Sequence, residues 1–407
     1  MLFPLIFLAL LILMDWYVYR GITLFTEGLS PDKKSLIKWI YWSISIAVLA
    51  ISIGAIVWSF VQGREPIQPK YWVATFWIAF FTPKLFFTVF LLIDDAVHLF
   101  RTDARVSTDG QVISRFRFLN QLGFGIFSLT LFANFFGIFF TKYRYKVRKE
   151  EIAFPNLPEA FDGYKIVQFS DLHIGSLNGD FSPLKKAFGM INELKADILL
   201  FTGDMVNNIA AELDGSDEVM QMLEAKDGKF SILGNHDYGD YYYDKKTEPE
   251  KHAANLKRLK ERQVELGFDL ILNDSRKISR NGQSIDLIGV ENWGKGWGTY
   301  GDLAKAQSKA QGPFKILMSH DPSHWKHQVK GQTDIDLTLS GHTHGMQYGI
   351  EWLGIKLSPV QLAYDTWAGL YNEGMQYIYV NRGLGFIGFL GRVGIRPEIT
   401  EITLRKT

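Results

Sequence analysis

Four long apolar runs in the first third of this 407-residue chain constrain its fold more than any other feature. A helix needs about 20 apolar residues to cross a bilayer core, and each run is close to that length. The first run has no basic segment before it and no small-residue cleavage site after it, which argues against a signal peptide. We predict an all-α membrane domain of four transmembrane helices over residues 1–141, with buried helices of a soluble protein as the alternative. The runs cover residues 2–19, 37–61, 71–93 and 122–141.

Ionisable residues interrupt these runs at few places. Lys84 lies in the middle of the third run, beside Pro83. A charge at that depth is costly and often functional, but the simpler interpretation is a kinked helix whose lysine snorkels to the headgroups. Asp15 lies nearer the end of the first run, where placement at the interface explains it.

The basic residues of the loops say little about orientation, because the totals on the two sides of the membrane nearly cancel. The densest cluster, KYRYKVRK at residues 142–149, directly follows the fourth run. Positive charge beside a span favours the cytoplasmic side, although the same cluster could bind anionic headgroups on either side. We therefore predict an integral protein of the cell or inner membrane with a cytoplasmic C-terminal domain, joined by a basic linker over residues 142–159.

The composition becomes that of a globular domain after the basic cluster, and we predict one domain over residues 160–407. Short apolar runs alternate with amphipathic stretches, which indicates an α/β fold. The net charge of +1 offers no argument for a nucleic-acid partner. The absence of cysteine excludes disulfides, thiolate zinc sites and cysteine nucleophiles. The predicted strands include residues 165–170, 198–202, 230–233, 314–319 and 337–339, and residues 181–194 and 251–266 are predicted helices.

Polar residues with metal-binding or catalytic chemistry follow five of these predicted strands. Ligands of α/β sheets gather beyond the carboxyl ends of strands, so we expect the five loops to meet. A single D-x-H or G-N-H is common by chance, but five pieces in this order are hard to explain by packing. In chain order the loops carry Asp171 and His173; Asp204; Asn235, His236 and Asp237; His320; and His342 and His344.

These residue types suit two divalent metal ions. Imidazoles with carboxylate and amide oxygens fit Mn²⁺ best, with Zn²⁺ and Fe²⁺ as alternatives. Asp171 and His173 lie one residue apart, so on an extended strand end their side chains would point the same way, and the same holds for His342 and His344. Asp204 could bridge two ions about 3.5–4 Å apart, an arrangement that clamps a phosphate and activates a water for in-line attack.

The order D-x-H, G-D, G-N-H-D, H, G-H-x-H resembles that of the calcineurin-like metallophosphoesterase superfamily over roughly residues 160–407. The stretches 381–385 (NRGLG) and 396–399 (RPEI) resemble its membrane-associated branch, related to UDP-2,3-diacylglucosamine hydrolases and to transmembrane proteins with a metallophosphoesterase domain. The resemblance implies a fold of two stacked β-sheets flanked by helices.

The resemblance also implies a role for each residue. His236 would contact the phosphate and assist the leaving oxygen, and Asp237 would orient His236. Asn207 stands where many members have aspartate, which we expect to tune the site, and Met346 stands where a glycine is common. One ion would be held by Asp171, His173 and His344, the other by Asn235, His320 and His342, with Asp204 bridging them.

Other candidates have an even or weaker claim. Arg382 could bind a substrate phosphate or form an ordinary salt bridge. Trp293 and Trp297, in one glycine-rich loop, could line a substrate groove or belong to a structural turn. His324 follows His320 closely, but its place on a polar surface helix explains it better than a role in the site. Tyr241 could touch lipid headgroups, but a solvated loop explains it better.

The expected function is that of a membrane-anchored, two-metal phosphoesterase acting on a phosphodiester or pyrophosphate bond. Because the tether would hold the site near headgroups, membrane lipids are expected partners and the expected substrate is phosphorylated and lipid-linked. UDP-2,3-diacylglucosamine, of lipid A biosynthesis, is one such substrate. A phosphodiesterase of soluble substrates and a non-catalytic metal- or phosphate-binding membrane sensor are the alternatives.

Overall fold

The chain forms two compact units, Met1–Gly137 and Ile138–Thr407. The computed structural model describes residues 2–62, 68–99, 115–296 and 298–407. The boundary between the units lies close to the end of the membrane domain predicted at residue 141. Four residues used in the predictions lie outside the described residues: Arg64, Arg101 and Arg105, which enter the loop charge totals, and Trp297.

The described residues of the first unit form four helices that are long and apolar enough to cross a membrane, as the apolar runs predicted. Large apolar side chains such as Leu13, Trp39 and Leu129 lie exposed on them. Exposed apolar side chains suit lipid rather than water. The backbone of a helix also suits lipid, because it satisfies its hydrogen bonds internally. The helices are α1 (Leu2–Thr26), α2 (Pro31–Gln62), α3 (Gln68–Leu99) and α4 (Arg115–Phe139).

Lys84 does not snorkel. Its side chain is buried, and its Nζ donates hydrogen bonds to the carboxylate of Asp15 in α1 and to Ser45 Oγ in α2, the latter at 2.9 Å. The Tyr41 hydroxyl donates to the same Asp15 oxygen at 3.0 Å. The snorkelling prediction is wrong because a carboxylate from another helix lies within reach, so both charges stay inside the unit as a pair.

Pro83 interrupts the hydrogen-bond ladder of α3, because a proline has no N–H to donate to the carbonyl four residues earlier. That carbonyl, of Ala79, accepts a hydrogen bond from Asn134 Nδ2 of α4 at 3.0 Å. The same amide nitrogen donates to Thr82 Oγ1 at 2.9 Å. Since an unpaired carbonyl is costly in hydrocarbon, this bond links α4 to α3 at the proline.

The second unit contains two six-stranded sheets and a separate two-stranded hairpin, which is the two-sheet α/β fold that the resemblance implied. Its helices are α5 (Ser182–Glu193), α6 (Asp217–Met220), α7 (Pro249–Glu265) and α8 (Leu303–Gln307). Its strands are β1 (Lys146–Phe154), β2 (Lys165–Phe169), β3 (Ile198–Phe201), β4 (Lys229–Ser231), β5 (Asp269–Leu270), β6 (Asp274–Arg280), β7 (Gln283–Gly289), β8 (Lys315–Met318), β9 (Leu337–Ser340), β10 (Ile350–Trp352), β11 (Ile355–Leu357), β12 (Gly369–Glu373), β13 (Gln376–Val380) and β14 (Glu398–Lys406). The order is β1-β14-β2-β3-β4-β5 in the first sheet and β12-β13-β9-β8-β7-β6 in the second, and β10 pairs with β11.

The main core lies between the two sheets. Ile198 and Leu200 of β3 pack in one buried cluster with Ile316 and Met318 of β8. Alternate residues of a strand point to opposite faces, and Leu317 accordingly joins a second cluster on the outer face of β8. Both faces of these central strands are therefore buried, which explains why they read as continuous apolar runs.

The segment 142–159 differs from the basic linker that the charge cluster predicted. β1 runs through it and pairs in parallel with β14 at the edge of the first sheet. An edge strand tolerates charge because much of its surface faces solvent, and Arg148 Nε lies 3.2 Å from Glu398 of β14. Only Ile152 and Phe154 of β1 are buried, so the strand pattern is weak in the sequence.

Candidate metal centre

The predicted site residues meet at the carboxyl ends of strands from both sheets. β2, β3 and β4 are parallel neighbours in the first sheet, and β8 and β9 are parallel neighbours in the second. Parallel neighbours end at the same edge, so their following loops converge. Asp171 and His173 follow β2; Asp204 follows β3; Asn235, His236 and Asp237 follow β4; His320 follows β8; His342 and His344 follow β9.

Five of these residues have left-handed backbones rather than extended ones. The φ angles are 52° at Asp171, 44° at His173, 60° at Asp204, 70° at His342 and 50° at His344. Non-glycine residues rarely adopt positive φ, and a cluster of them is typical of functional sites held by the surrounding fold. The pair Asp171 and His173 and the pair His342 and His344 therefore converge through turns, not through the strand alternation that the sequence suggested.

Glycines before three of the ligands allow the loops to approach each other. Gly203 has a φ of 96°, and a Cβ on it would lie 2.6 Å from the backbone nitrogen of Gly234. A Cβ on Gly234 would lie 2.2 Å from an Asp204 carboxylate oxygen, and one on Gly341 would lie 2.4 Å from Asp171 Oδ2. Any larger residue at these three positions would push the ligand loops apart.

One group of possible metal ligands consists of Asp171, His173 and His344, all buried. The Nε2 atoms of His173 and His344 lie 3.0 Å apart, and His344 Nε2 lies 3.2 Å from Asp171 Oδ1. His342 N donates to both oxygens of the Asp171 carboxylate, at 3.0 and 3.1 Å. The three side chains thus point their donor atoms at one small volume.

The second group consists of Asp204, His320 and His342, with Asn235 beside it. Asn235 Oδ1 lies 3.1 Å from His320 Nε2 and 2.8 Å from His342 Nδ1. Asp204 Oδ2 lies 3.1 Å from His320 Nε2 of this group and 3.6 Å from His173 Nε2 of the first. One carboxylate oxygen therefore contacts both groups.

The donor set and its spacing fit two divalent ions. Ligands about 2.1 Å from a common ion are about 3.0–3.4 Å from each other in octahedral or tetrahedral geometry. The distances between donor atoms within each group are close to this range. Nitrogen and oxygen donors without thiolate suit Mn²⁺, Zn²⁺ or Fe²⁺.

The charges of the cluster also suit cations. Burial raises the pKa of the Asp171 and Asp204 carboxyls, but the surrounding imidazoles outweigh burial and hold both pKa values below the ordinary value. Burial lowers the pKa of His173 well below its ordinary value, which favours the neutral form that a metal ligand needs. Burial lowers the pKa of His320, but the Asp204 carboxylate outweighs burial and raises it to about 10. The cluster therefore attracts positive charge, which a bound divalent ion would supply.

His236 is held by a neighbouring backbone rather than by Asp237. Its Nδ1 lies 2.7 Å from the carbonyl oxygen of Asn207, and its ring contacts the rings of His173 and Tyr241, with centroid distances of 4.9 and 4.6 Å. The Asn207 side chain donates from Nδ2 to Ser176 Oγ at 2.8 Å.

Asp237 has a different role from the one the resemblance implied. Its carboxylate accepts four backbone N–H bonds, from Asp204 and Gly234 at 2.9 Å each, Met205 at 2.8 Å and Val206 at 3.2 Å. In the tight turn Asn235–Tyr238 the side chain of Asp237 reaches back to these donors, one of which, Gly234, directly precedes the turn. Asp237 therefore positions the loops that carry Asp204 and Asn235.

Three weaker candidates make contacts inside the second unit. The Arg382 guanidinium is buried and ion-paired with Glu398 and Glu351, so the ordinary salt bridge replaces the prediction of phosphate binding. Trp293 packs its ring on His324 with a centroid distance of 5.0 Å. His324 is buried rather than on a polar surface, because Ser319 Oγ lies 2.8 Å from its Nδ1 inside the fold.

Two tyrosines complete the surroundings of the second group. The Tyr364 hydroxyl lies 2.8 Å from His342 Nε2 and donates to Asp321 at 3.3 Å. The Tyr241 hydroxyl accepts a bond from Asn235 Nδ2 at 2.9 Å. Sequence reasoning missed Tyr364, which lies in no motif and is 22 residues from His342. Tyr241 lies six residues from Asn235, and that spacing was the only signal for it.

Comparisons with known proteins agree with this geometry. Residues 1–142 match a family model described as the transmembrane domain of a probable calcineurin-like phosphoesterase. Residues 164–346 match the model of the calcineurin-like phosphoesterase domain. Together with the four long apolar helices, the first match identifies an integral membrane protein.

Curated relatives match somewhat more than half of the chain. An uncharacterized metallophosphoesterase of Bacillus subtilis, YkuE, is 34% identical over 257 residues, which is 62% of this chain and 82% of the relative. A transmembrane protein with a metallophosphoesterase domain from Danio rerio is 29% identical over 64% of this chain and 57% of the relative. UDP-2,3-diacylglucosamine pyrophosphatase LpxG of Chlamydia trachomatis is 28% identical over 56% of this chain and 81% of the relative.

Proposed function

Because the chain belongs to the calcineurin-like metallophosphoesterases, a family of metal-dependent phosphoric ester hydrolases, we propose that it hydrolyses a phosphodiester or pyrophosphate bond at a membrane surface. The observation that carries this proposal is the contact of one Asp204 oxygen with histidines of both ligand groups. A single carboxylate oxygen between two sets of donors is the arrangement that a two-metal hydrolase requires.

In this proposal Asp171, His173 and His344 hold one ion, Asn235, His320 and His342 hold the other, and Asp204 bridges them. Mn²⁺ is the proposed metal. The ions would supply Lewis acidity that polarises the phosphoryl group and acidifies the attacking water. Tyr364 orients His342 through its Nε2, which leaves Nδ1 for the ion.

His236 is the proposed catalytic residue that contacts the phosphoryl group or the leaving oxygen. Since its Nδ1 donates to the Asn207 carbonyl, Nε2 is the ring atom left for the substrate. An imidazole held in this way stabilises developing charge or donates a proton without the cost of reorienting. Tyr241, whose ring packs against the His236 ring, would help to hold it.

The proposed substrate is lipid-linked. The membrane helices support this idea, because they keep the hydrolytic unit close to headgroups. LpxG, at 28% identity, is named for a pyrophosphatase of a diacylated nucleotide sugar. A substrate of that class, such as UDP-2,3-diacylglucosamine, presents a pyrophosphate at the bilayer surface. Soluble phosphodiesters are the second candidate.

The test uses the full chain in detergent or nanodiscs, because a fragment that begins near residue 150 would cut β1 in half. Protein stripped of metal and refilled with Mn²⁺ is assayed on bis(p-nitrophenyl) phosphate and on a pyrophosphate-linked lipid. We expect activity to return with Mn²⁺ and to vanish in Asp204→Asn and His236→Ala, while Glu224→Gln, at an exposed position between α6 and β4, keeps it. A folded, metal-loaded protein that cleaves neither substrate would instead support a non-catalytic sensor.

We also propose that the hydrolytic unit lies on the cytoplasmic side. The basic residues that follow the fourth span support this orientation, because such residues are usually retained inside. The chain has no cysteine, so a single Lys257→Cys variant reports on one exposed position of α7. In intact cells a membrane-impermeant maleimide should leave this cysteine unlabelled until the cells are permeabilised. Labelling before permeabilisation would place the unit outside.

A further inference from the structure

A short hairpin directly after the GHTH ligand segment forms a sheet of its own. β10 and β11 pair antiparallel, with Ile350 opposite Leu357 and Trp352 opposite Ile355. The turn between them, Leu353–Gly354, has φ angles of 48° and 82°, the left-handed pair that a two-residue hairpin loop needs. Side chains of a hairpin alternate between two faces, so these four apolar residues share one face.

The two faces of this hairpin are inverted relative to an ordinary surface hairpin. Glu351, on the charged face, is ion-paired with Arg148 and Arg382 of the body. Lys356, on the same face, donates from Nζ to the Ala368 carbonyl at 3.2 Å. A soluble sheet normally turns its apolar face to the core and its charged face to water.

The apolar face lies open. The exposed fractions are 56% for Ile350, 69% for Trp352, 52% for Ile355 and 53% for Leu357, and Leu353 at the tip is 79% exposed. We call these five residues the apolar face. A contiguous exposed apolar surface of this kind marks a site of protein or membrane interaction.

The segment that carries the apolar face is bonded to a loop of the same unit. Gln347 Nε2 donates to the Ile387 carbonyl at 2.7 Å, and Val393 N donates to the Gln347 carbonyl at 2.7 Å. The loop 386–391 in turn lies against the first residues of the second unit, since Gly391 lies against Ile138. The Phe386 ring lies 5.8 Å from that of Tyr143. The hairpin is therefore connected through one loop to the start of the second unit, which follows the fourth span in the chain.

The charges that follow α4 in the chain favour a membrane as the partner of the apolar face. Arg144 and Lys146, directly after α4, are exposed, and so is Arg396, whose Nε donates to the Arg144 carbonyl at 2.8 Å. Exposed cations beside a span attract anionic headgroups. A tryptophan such as Trp352 is typical of the membrane–water interface.

We propose that the apolar face docks into the headgroup and acyl boundary of the bilayer that holds the chain's own helices. His344 lies six residues before Ile350, so docking would bring the metal centre to the lipid surface. The docking itself is independent of catalysis; that it delivers a lipid-linked substrate rests on the proposed function.

The depth of the hairpin tip tests the docking directly. Because the chain lacks cysteine, Leu353→Cys can be spin-labelled in the full chain without other changes. Val264→Cys, at a 59% exposed position of α7, is the matched control. In nanodiscs with anionic lipid we expect the label at 353 to be relaxed by oxygen and shielded from a water-soluble nickel chelate, while the label at 264 shows the opposite.

Two results would overturn the proposal. Equal access of the nickel chelate to positions 353 and 264 would show that the tip stays in water. Shielding from both reagents, with spin–spin broadening between copies, would assign the apolar face to a second copy of the chain. Both variants change exposed side chains, so metal content and melting temperature should match those of the unmodified protein.

A second measurement separates docking from the proposed function. In Trp352→Ser with Leu353→Ser we expect hydrolysis of bis(p-nitrophenyl) phosphate to stay unchanged and hydrolysis of the lipid substrate to fall by about tenfold, because interfacial binding scales with apolar area. An equal loss on both substrates would contradict docking. If the unmodified protein cleaves neither substrate, the proposed function fails, whereas the depth measurement still decides the docking.

Discussion

Replacing Asp237 by asparagine should loosen the metal centre rather than slow the chemical step alone. The carboxylate accepts four backbone N–H bonds, two at each oxygen. An asparagine keeps one acceptor oxygen and turns the other into an NH₂ group, which cannot accept. Two buried N–H groups of the ligand loops would then lack a partner.

The size of the effect follows from those two groups. A buried donor without an acceptor costs about 1–3 kcal/mol, so the free energy of unfolding should fall by roughly 2–6 kcal/mol. For a domain of this size each kcal/mol lowers the melting temperature by roughly 2–4 °C. The affected N–H groups belong to residues 204–206 and 234, which carry or adjoin ligands. If only 1.4 kcal/mol of the loss appears in metal binding, the affinity for Mn²⁺ falls about tenfold.

The assay combines a melting curve of the metal-free full chain in detergent with a calorimetric titration of Mn²⁺. Glu224→Gln, at an exposed position between α6 and β4, is the control and should leave both unchanged. If Asp237 instead oriented His236, Asp237→Asn would lower kcat while melting temperature and Mn²⁺ affinity stayed the same. That result would refute the positioning role derived from the four bonds.

Three further predictions concern other groups. Burial lowers the pKa of His324 to about 4, so the unfolded chain takes up this proton first as the pH falls. The free energy of unfolding of metal-free protein should then drop by about 3 kcal/mol between neutral pH and pH 4 because of this group. His324→Gln should remove this drop, and exposed His327→Gln should not. An equal drop in both variants would exclude His324 as the cause. Lys84→Met should lower the free energy of unfolding by about 3–5 kcal/mol, because it leaves the Asp15 charge unpaired. Adding Asp15→Asn should restore most of the stability in a detergent melting assay. No recovery would mean that the loss of the ion pair does not cause the destabilisation. Tyr364→Phe should weaken one of two Mn²⁺ sites by about 10–100-fold in a titration, whereas two unaltered sites would show that the hydroxyl does not orient His342.

The sequence predicts the four spans and the ligand loops well, for physical reasons. A span is recognisable because bilayer thickness sets its length. Asp171, Asp204 and His320 each follow a central strand that is buried on both faces, so the apolar run marks where the loop begins. The glycine before Asp204 also matters, because the close approach of the loops permits no larger residue.

Features that depend on which surfaces meet in space could not be predicted in this way. The pairing of Lys84 with Asp15 requires knowing which helices are neighbours, since 69 residues separate them. The direction of Asp237 depends on a single tight turn, whose side chains do not follow a strand or helix period. The charged sequence of β1 predicts a linker, because such charge is as compatible with a disordered linker as with an edge strand.

The pairing of β1 with β14 has a consequence for how the protein is made. β1 leaves the ribosome directly after the last membrane helix, but its partner β14 comprises residues 398–406, which in register lie 252 residues further along the chain. Loop closure over such a separation is slow. During synthesis the first strand after the membrane must therefore wait until β14 has been translated. A ribosome stalled before residue 398, or a deletion of residues 398–407, would leave an open sheet edge held at the membrane, which is a target for proteolysis and aggregation.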